Sequence, residues 1–433
     1  MPENLSLASW LTHLESLHPK GQAGIELGLE RVARVKAALG QTQHCPVIVV
    51  GGTNGKGSVC AYLENILDRA GLKVGCYTSP HLLHYNERVK LNGQPASDEA
   101  LCRAFTRVEA ARGEEPLTYF EFGTLAAWEV FTEAGVDAVI LEVGLGGRLD
   151  AVNVYDADAA IVTGIALDHT DWLGPTREHI GFEKAGIFRP GRPALCADRQ
   201  PPQSLLDHAA AIGADLKLIG RDFGFEKSAE DRLQWRYWSK QGETMQRRSL
   251  AFPGLRGSAQ LANASVVLAT LDALKDRLPV TMGAIRRGLI ETELPGRFQV
   301  LPGQPTVVLD VAHNPQAATV LADNLGNMGF FDRTHAVVGM LGDKDIPATL
   351  AALKGKVDYW HLADLAVPRG ASAATLAAAV AGLGGEVVCH ADPATAYGKA
   401  LEQAADNDRI LVFGSFYTVA DVLCLLAQRR SRS

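Results

Sequence analysis

A glycine-rich segment that contains a lysine follows a short apolar run, and its residue types suit the binding of phosphate. The run Val47–Val50 predicts a buried β-strand, and helical spacing resumes over residues 59–67. Between them lie Gly51, Gly52, Thr53, Asn54, Gly55, Lys56, Gly57 and Ser58. Glycines let backbone N–H groups turn toward an anion, and the N-terminus of a helix adds partial positive charge. Lys56 would then reach the outer phosphates of a nucleotide, and Ser58 could contact the Mg²⁺ bound to them.

This segment departs from the general phosphate-loop pattern at two positions. Val50 stands where the first glycine is usual, and Gly57 stands where a serine or threonine normally follows the lysine. A turn that only reverses the chain is therefore the alternative. A lysine among glycines, with a strand before it and a helix after it, favours the phosphate site.

Side chains that bind metals or phosphates follow other predicted strands. The strand at 73–77 precedes Ser79, the apolar strand at 137–143 carries Glu142 near its end, and the strand at 159–163 precedes Asp168 and His169. Open α/β sheets bind ligands at such strand ends. A carboxylate in an apolar strand is costly unless it is paired or bound to a metal, so Glu142 and His169 are candidate ligands. Because Mg²⁺ prefers oxygen, a structural role for His169 stays open, as does a turn-forming role for Ser79.

An aromatic segment begins the helix that is predicted to run to about residue 134. Thr118 and Glu121 have the spacing of a capping box, which is a sufficient structural reason for both. Tyr119 and Phe120 lie between them and could either pack in the core or stack on a planar ring.

Two further segments carry charged groups beside glycines or small residues. Residues 144–150 form a second glycine loop, with Arg148 and Asp150, at the same predicted sheet edge. Residues 181–188 predict a helix with Glu183 and Lys184, and from composition alone these two side chains belong to a solvated helix face.

Composition limits the class of protein. The 433 residues are too many for one ordinary core, so two domains are expected. The net charge of −7 argues against a nucleic-acid or anionic-membrane binder. The 7 cysteines are scattered and never spaced as C-x-x-C, which favours reduced thiols. No signal peptide is visible in residues 1–16, and no apolar run approaches the ~20 residues of a membrane helix. We expect a cytoplasmic, monomeric protein.

The order of the predicted elements indicates two α/β domains. Helices are expected at 5–17 and 27–39 ahead of the first strand, short antiparallel strands at the sheet edge over 216–252, and helices at 258–274 and 282–292. Residues 294–298 form a proline-glycine break. Beyond it, strands are predicted at 306–309, 336–338, 357–361, 386–389 and 409–413, alternating with helices. We therefore predict a phosphate-loop domain over 1–294, with a mostly parallel sheet and helices on both faces, and a smaller Rossmann-like domain over 295–433.

These motifs resemble the folate branch of the Mur ligase superfamily of ATP-dependent amide ligases. The matching segments are GTNGKGS at 52–58, TSPHL at 78–82, LEVGLGGRLD at 141–150, LDHT at 167–170, EKAG at 183–186 and DVAHNP at 310–315. The resemblance covers nearly the whole chain, through GSFY at 414–417.

The resemblance implies a reaction. ATP would phosphorylate a carboxylate of dihydropteroate or of a reduced folate, and the amino group of L-glutamate would attack the acyl phosphate to form an amide. Such phosphoryl transfer depends on positioning and charge neutralisation, which the glycine loop, Lys56 and Mg²⁺ would supply.

The resemblance also assigns roles to residues. Mg²⁺, expected as two ions, would be held by Ser79, Glu142, His169 and Lys184, the last as a carbamylated lysine. ATP would contact Thr53, Asn54, Gly55, Lys56, Gly57, Ser58, Asn263, Arg297 and Asp310, which implies a nucleotide between the two domains. Dihydropteroate or folate would contact Thr118, Tyr119, Phe120, Glu121, Leu149, Asp150 and Ala151. Asp310, His313 and Ser415 would be tied to glutamate addition.

Three alternatives stay open at this point. A cell-wall Mur ligase would need a further N-terminal domain, and only about 50 residues precede the loop, fewer than a typical domain contains. A folylpolyglutamate synthase that lacks the dihydropteroate activity would share the same ATP site. A non-catalytic nucleotide-binding regulator would not need acidic and histidine groups at three strand ends, so replacement of Glu142 would leave its function intact.

Overall fold

The computed structural model describes residues 5–18, 25–227, 233–242 and 244–430. The chain divides into two units: Met1–Gly254 with Leu261–Thr292, and Leu255–Gln260 with Glu293–Ser433. Each unit contains its own sheet and helices, so the predicted α/β class is confirmed. The assignment of separate functions to residues 1–294 and 295–433 stays a prediction.

The first unit is built on an eight-stranded sheet. Its strands are β1 Val47–Gly51, β2 Val74–Tyr77, β3 Val89–Leu91, β4 Gln94–Pro95, β5 Ala138–Glu142, β6 Ala159–Val162, β7 Pro193–Cys196 and β8 Asp215–Leu218. The order across the sheet is β4-β3-β2-β5-β1-β6-β7-β8. Strand β3 pairs antiparallel with both β2 and β4, and all the other neighbouring strands of this sheet pair parallel. The parallel strands are almost continuous apolar runs, as expected where a sheet is buried on both faces.

The strand order separates two loops at the sheet edge where the carboxyl ends of β1 and β6 lie. The chain leaves β1 toward β2 and β5 on one side, whereas it leaves β6 toward β7 on the other side. This divergence is a topological switch point, where open α/β sheets bind ligands beyond the carboxyl ends of the strands. The glycine loop after β1 and the segment after β6 therefore border the same opening.

The antiparallel strands predicted within 216–252 form a sheet of their own. Strands β9 Phe223–Lys227, β10 Gln234–Gln241 and β11 Thr244–Ala251 pair in the order β11-β10-β9. The expectation that they extend the edge of the main sheet is wrong. The edge strand there is β8, and it pairs parallel with β7 because its chain reaches the sheet after a helical crossover.

Helices of the first unit connect and cover these strands. They are α1 Leu7–Leu17, α2 Glu30–Ala38, α3 Lys56–Arg69, α4 Asp98–Arg112, α5 Tyr119–Ala134, α6 Thr170–Leu173, α7 Arg177–Ala185, α8 Gln203–Ile212, α9 Gln260–Ala273 and α10 Met282–Glu291, with 3₁₀ turns at Tyr85–Arg88 and Ala151–Val154. Among the helices in the described ranges, none combines the length and apolar character needed to cross a membrane.

The second unit contains a six-stranded sheet. Its strands are β12 Gln299–Leu301, β13 Thr306–Leu309, β14 Thr334–Val338, β15 Tyr359–Ala363, β16 Glu386–His390 and β17 Arg409–Phe413, in the order β12-β13-β17-β14-β15-β16. Only β12 is antiparallel to its neighbour. Its helices are α11 Pro315–Gly326, α12 Ile346–Ala351, α13 Ala373–Val380, α14 Pro393–Gln403 and α15 Phe416–Arg430. The five strands predicted after residue 298 are thus confirmed.

A row of three histidines crosses this second sheet. His335, His361 and His390 lie on neighbouring strands, and their rings are joined by N···N contacts of 3.4 and 3.2 Å. The row ends at Asp408, whose Oδ2 lies 3.4 Å from His335 Nε2. Each N···N contact needs one donor and one acceptor nitrogen, so two neighbouring rings of the row cannot both be protonated. Burial, with the adjacent His335 and His390, lowers the pKa of His361 to about 4.

This row predicts an acid-sensitive contribution to folding. The pKa of His361 falls from 6.5 in the unfolded chain to about 4 in the folded one. The contribution of neutral His361 to the free energy of unfolding is therefore complete above pH 6.5. It is lost as pH falls toward 4, by up to about 3 kcal/mol. We expect His361→Gln to show a weaker decline of the free energy of unfolding between pH 7 and 5 than the parent, measured by urea unfolding. His44→Gln, at an exposed histidine, should keep the parent's decline. Equal declines in the parent and His361→Gln would refute this account.

Candidate active site

The segment after β1 has the geometry of an anion-binding loop. Gly52 and Gly55 have φ of +136° and +98°, and α3 begins at Lys56. Thr53 fixes the loop to the segment after β6, because its N–H donates to the Gly164 carbonyl at 2.8 Å and its Oγ1 accepts from Ala166 N–H at 3.0 Å. The predicted contacts at 53–58 thus occupy this loop and the first turn of α3.

Two side chains leave no room for anything but glycine in this loop. A Cβ on Gly52 would lie 1.8 Å from Thr163 Oγ1, and one on Gly55 would lie 2.9 Å from Asn263 Oδ1. Asn263, on α9, is buried directly against the loop. The sequence-predicted ATP contact at Asn263 therefore lies beside the glycines, although its residue number is far from theirs.

Two lysines meet at one backbone oxygen of the loop. Lys56 Nζ donates to the carbonyl oxygens of Gly52 at 3.1 Å and Thr53 at 3.2 Å, and Lys184 Nζ donates to the same Gly52 oxygen at 3.0 Å. Lys184 is 4% exposed, so its interpretation as part of a solvated helix face is wrong. Burial, followed by the charge of Lys56, lowers the pKa of Lys184 to about 7.

Close backbone packing brings Lys184 to this position. A Cβ on Gly147 would lie 2.8 Å from the Glu183 carbonyl oxygen, and one on Gly186 would lie 2.3 Å from Arg148 Cβ. Arg148 N–H donates to the same Glu183 carbonyl at 2.8 Å, and its guanidinium pairs with the Glu183 carboxylate. The glycine loop at 144–150 is thus packed against α7, which turns Lys184 inward.

Two of the predicted metal ligands are in direct contact. The Glu142 carboxylate, buried at the end of β5, accepts the backbone N–H of Ser79 at 3.1 Å. His169 lies beyond β6 with φ of +51°, a left-handed conformation that costs a non-glycine residue about 1–3 kcal/mol and is concentrated at functional sites. Its N–H donates to Asp168 Oδ1 at 2.9 Å. The strand order β2-β5-β1-β6 brings the ends that carry these residues to neighbouring positions.

The aromatic segment at the start of α5 has both structural and exposed parts. Thr118 and Glu121 form the predicted capping box, with contacts of 3.2 and 2.8 Å, and Glu121 also pairs with Arg31. Tyr119 is buried, whereas Phe120 is partly exposed and its ring covers Gly144. Phe120 is therefore the ring that remains accessible to a ligand.

Asp150 holds the second glycine loop together. Its carboxylate accepts the N–H groups of Leu145 at 2.8 Å and Val152 at 3.1 Å. Burial raises the pKa of Asp150 to about 7 in spite of these hydrogen bonds. Leu149 and Ala151 flank it, and Leu149 accepts the Gly28 N–H at 3.2 Å. The predicted folate contacts at 149–151 thus lie on a braced loop.

The predicted residues of the second unit gather at the ends of β13 and β17. Asp310 accepts the N–H groups of Phe298 and Ala312, each at 2.8 Å. Burial raises the pKa of Asp310, and the charge of Arg297 opposes this shift. Arg297 lies 5.1 Å above the Phe416 ring, and His313 packs on the same ring. Ser415 follows β17 and contacts Thr418 Oγ1 at 2.8 Å.

Sequence reasoning missed two side chains near these groups. Thr163 Oγ1 is buried behind Gly52 without a hydrogen-bond partner among the described residues. Arg88 places its guanidinium over the rings of Tyr85 and Tyr119. The polar Thr163 at the end of an apolar strand was a usable signal. No signal in the sequence indicated Arg88, because its position depends on the antiparallel return of β3 beside β2.

The contact between Gly52 and Thr163 predicts an unusually costly glycine substitution. We expect Gly52→Ala to lower the free energy of unfolding by about 1–3 kcal/mol more than Gly71→Ala, since both positions have positive φ but only Gly52 also faces a steric clash. Gly71, just beyond α3, has no atom within 4 Å of an added Cβ. Urea unfolding of the two variants gives the comparison. Equal losses would mean that Thr163 moves aside freely.

Both parts of the chain match models of one protein family. Residues 50–271 match the Mur ligase middle domain, and residues 296–416 match the Mur ligase, glutamate ligase domain. The dihydrofolate synthase/folylpolyglutamate synthase of Escherichia coli strain K12 is 46% identical over 426 residues, which cover 98% of this chain and 96% of the relative.

Solved structures show the same similarity. E. coli FolC in complex with DHPP and ADP superposes with a TM-score of 0.92 at 45% identity, covering 99% of each chain. A bifunctional folylpolyglutamate synthase/dihydrofolate synthase with Mn, AMPPNP and L-glutamate bound superposes with a TM-score of 0.89 at 46% identity, covering 98% of this chain and 99% of the other. The chain therefore belongs to the Mur ligase family of ATP-dependent ligases, within the branch of the dihydrofolate synthases/folylpolyglutamate synthases.

Proposed function

We propose that this protein joins L-glutamate to dihydropteroate and adds further glutamates to reduced folates, in reactions driven by ATP. The observation that carries the proposal is the convergence on one sheet edge of a glycine loop with two lysines and a buried carboxylate. Lys56 and Lys184 share the Gly52 oxygen, and Glu142 lies on the neighbouring strand β5. A non-catalytic nucleotide binder would not require the buried carboxylate, whereas phosphoryl transfer to a carboxylic acid does require charge neutralisation on both sides of the phosphate.

The loop and α3 would position the nucleotide. Backbone N–H groups between Gly52 and Ser58 would bind the phosphates, and the N-terminus of α3 would add its partial positive charge. Lys56, whose ammonium is held near the loop by two carbonyl oxygens, would exchange these for phosphate oxygens. The acyl phosphate formed on the acceptor would then be attacked by the amino group of L-glutamate, with phosphate as the leaving group.

The donor set suits a divalent cation with an oxygen preference. Within the described ranges, no three His, Cys, Asp or Glu side chains converge on a site of their own. Mg²⁺ commonly uses one or two carboxylates together with waters and substrate phosphates, so Glu142 with the Ser79 hydroxyl fits this ion, and His169 would complete the set. When bound, Mg²⁺ would neutralise charge on the phosphates. Two such ions, the second beside a modified Lys184, are part of the proposal.

Lys184 would carry a carbamate. Its amine and that of Lys56 approach the same oxygen, so two positive charges repel each other there. With the pKa of Lys184 lowered to about 7, a large fraction of the amine is neutral near pH 7, and only a neutral amine can add CO₂. Addition of CO₂ forms an N–C bond and releases one proton to solvent. The resulting carbamate anion next to Lys56 would replace repulsion with attraction and would offer oxygen ligands to a cation.

The acceptor and glutamate would use residues named from the sequence. Phe120 would stack on the pterin ring, with Thr118, Tyr119, Glu121 and the loop at 149–151 around it. Arg297 and Asp310 would contact ATP, and Asp310, His313 and Ser415 would be tied to glutamate addition. A monomer without nucleic-acid or membrane partners remains our prediction.

Phosphate release tests the proposed function. The purified protein, with ATP, Mg²⁺ and L-glutamate, should release phosphate when either dihydropteroate or tetrahydrofolate is added, because one acceptor site serves both. Omission of L-glutamate provides the background. Release with tetrahydrofolate alone would indicate a folylpolyglutamate synthase only, and release with neither acceptor from a folded sample would refute the folate assignment.

Carbamylation of Lys184 can be detected directly. We expect a ¹³C carbamate resonance when the protein is equilibrated with ¹³CO₂, and we expect it to disappear in Lys184→Ala. Lys184→Ala should lose at least about 100-fold in turnover, consistent with losses of electrostatic groups at reacting phosphates, and acetate should restore part of it by supplying a carboxylate.

Lys36→Ala is the matched control for that resonance. Lys36 is also partly buried, donates to a carbonyl oxygen at 2.8 Å and has a lowered pKa, but it faces the Tyr155 ring instead of a second lysine. Its removal should leave the resonance intact. A parent protein with full activity and no carbamate signal would contradict the proposal.

A further inference from the structure

Arg88 lies beside the predicted acceptor pocket at the end of β2. It closes the 3₁₀ turn Tyr85–Arg88, and its carbonyl accepts the N–H of Thr78 at 2.9 Å. This pairing places Arg88 opposite the residue that immediately precedes Ser79. The contact is made possible by β3, which returns antiparallel to β2.

Two aromatic rings and a histidine hold the guanidinium in place. Its central carbon lies 5.6 Å from the ring centre of Tyr85 and 5.5 Å from that of Tyr119. Nε donates to His81 Nδ1 at 2.8 Å. Tyr85 and Tyr119 are buried and pack edge to face against each other. Nε is thus occupied, and the two Nη amino groups are the remaining donors.

No acidic side chain neutralises this guanidinium. In the described ranges, Arg88 has no carboxylate oxygen within the 4.0 Å distance of an ion pair. Its neighbour Glu87 is engaged elsewhere, since its carboxylate accepts the N–H groups of Leu82, Leu83 and His84. A partly buried, fixed cation without a counter-ion is costly unless a ligand supplies the anion.

We propose that Arg88 binds a carboxylate in the glutamyl part of folate acceptors, namely the carboxylate that does not react. This inference rests on the proposed function and deepens it. Tyr119, which lies against the guanidinium, belongs to the segment 118–121 assigned to the acceptor. A planar guanidinium fork matches a carboxylate with two parallel hydrogen bonds.

The chemistry of the reaction selects the spectator carboxylate. The carboxylate that attacks ATP must keep its nucleophilic oxygens available, and a two-pronged contact with arginine would neutralise them. Dihydropteroate has a single carboxylate, which is the reacting one, whereas a folate glutamate has two. Arg88 would therefore contribute to the use of folates more than to the use of acceptors without glutamate.

The test compares acceptors that differ only in the glutamate. We would measure kcat/KM of Arg88→Gln and Arg88→Lys with tetrahydropteroate and with tetrahydrofolate. For Arg88→Gln the ratio of tetrahydrofolate to tetrahydropteroate should fall by about 10- to 100-fold, through KM, as expected for loss of charged hydrogen bonds. Arg88→Lys should fall less, because it keeps the charge but not the fork. Arg103→Gln, at an exposed arginine paired with Glu133, is the matched control and should keep the parent ratio.

The outcomes separate this inference from the proposed function. Activity of the parent with both acceptors tests the proposed function, and only the ratio in the variants tests Arg88. Equal losses of kcat/KM with both acceptors would mean that Arg88 binds the pterin or the reacting carboxylate. Unchanged kcat/KM with both acceptors would mean that Arg88 binds neither substrate carboxylate. Each result overturns the inference. If Arg88→Gln unfolds, the ratio in Arg88→Lys decides, since lysine retains the cation.

Discussion

The Gly52 carbonyl oxygen is the point on which the phosphate-binding edge depends. It accepts hydrogen bonds from both Lys56 and Lys184, while Thr163 fills the space behind the Gly52 α-carbon. Thr163 prevents the loop from moving back, and the amino groups of Lys56 and Lys184 lie in front of it. Under the proposed function, an anion would stabilise this arrangement, either a phosphate or a carboxylated lysine.

The motifs at 144–150 and 183–186, which lie apart in the sequence, are parts of one packed structure. Gly147 and Gly186 allow the loop at 144–150 and helix α7 to approach so closely that Arg148 and Glu183 pair across them. Asn153 adds a side-chain amide that donates to the carbonyl oxygens of Arg148 and Gly186. Any displacement of the second glycine loop would therefore move Lys184 as well, which couples this loop to the glycine loop after β1.

The apolar strands that end at the candidate site were predictable from the sequence, whereas strands β3, β4, β7 and β12 and the burial of single polar side chains were not. Strands β13 and β17 agree with the predicted bounds because buried parallel strands are continuous apolar runs. Family resemblance named Lys184, yet residue type alone placed it on a solvated face, since its burial depends on glycines in a distant segment. Arg88 was missed because its position depends on the antiparallel return of β3 beside β2. The separate sheet β9–β11 was missed because alternation shows strands but not their partners.

The buried carboxylates at the strand ends have different tasks. Asp150 and Asp310 each accept two backbone N–H groups that belong to loops on either side, so each one fixes the shape of a turn before it can contact a ligand. A ligand that replaced these hydrogen bonds would release the loops. A ligand that contacts Asp150 or Asp310 therefore has to do so while the carboxylate keeps its hydrogen bonds to the backbone. Glu142 differs because it ends strand β5 and accepts the backbone N–H of Ser79, just beyond the neighbouring strand β2, so its carboxylate is positioned by the sheet. Under the proposed function, Glu142 would have to meet a cation at a fixed distance, and a rigid sheet is the better support for such a group.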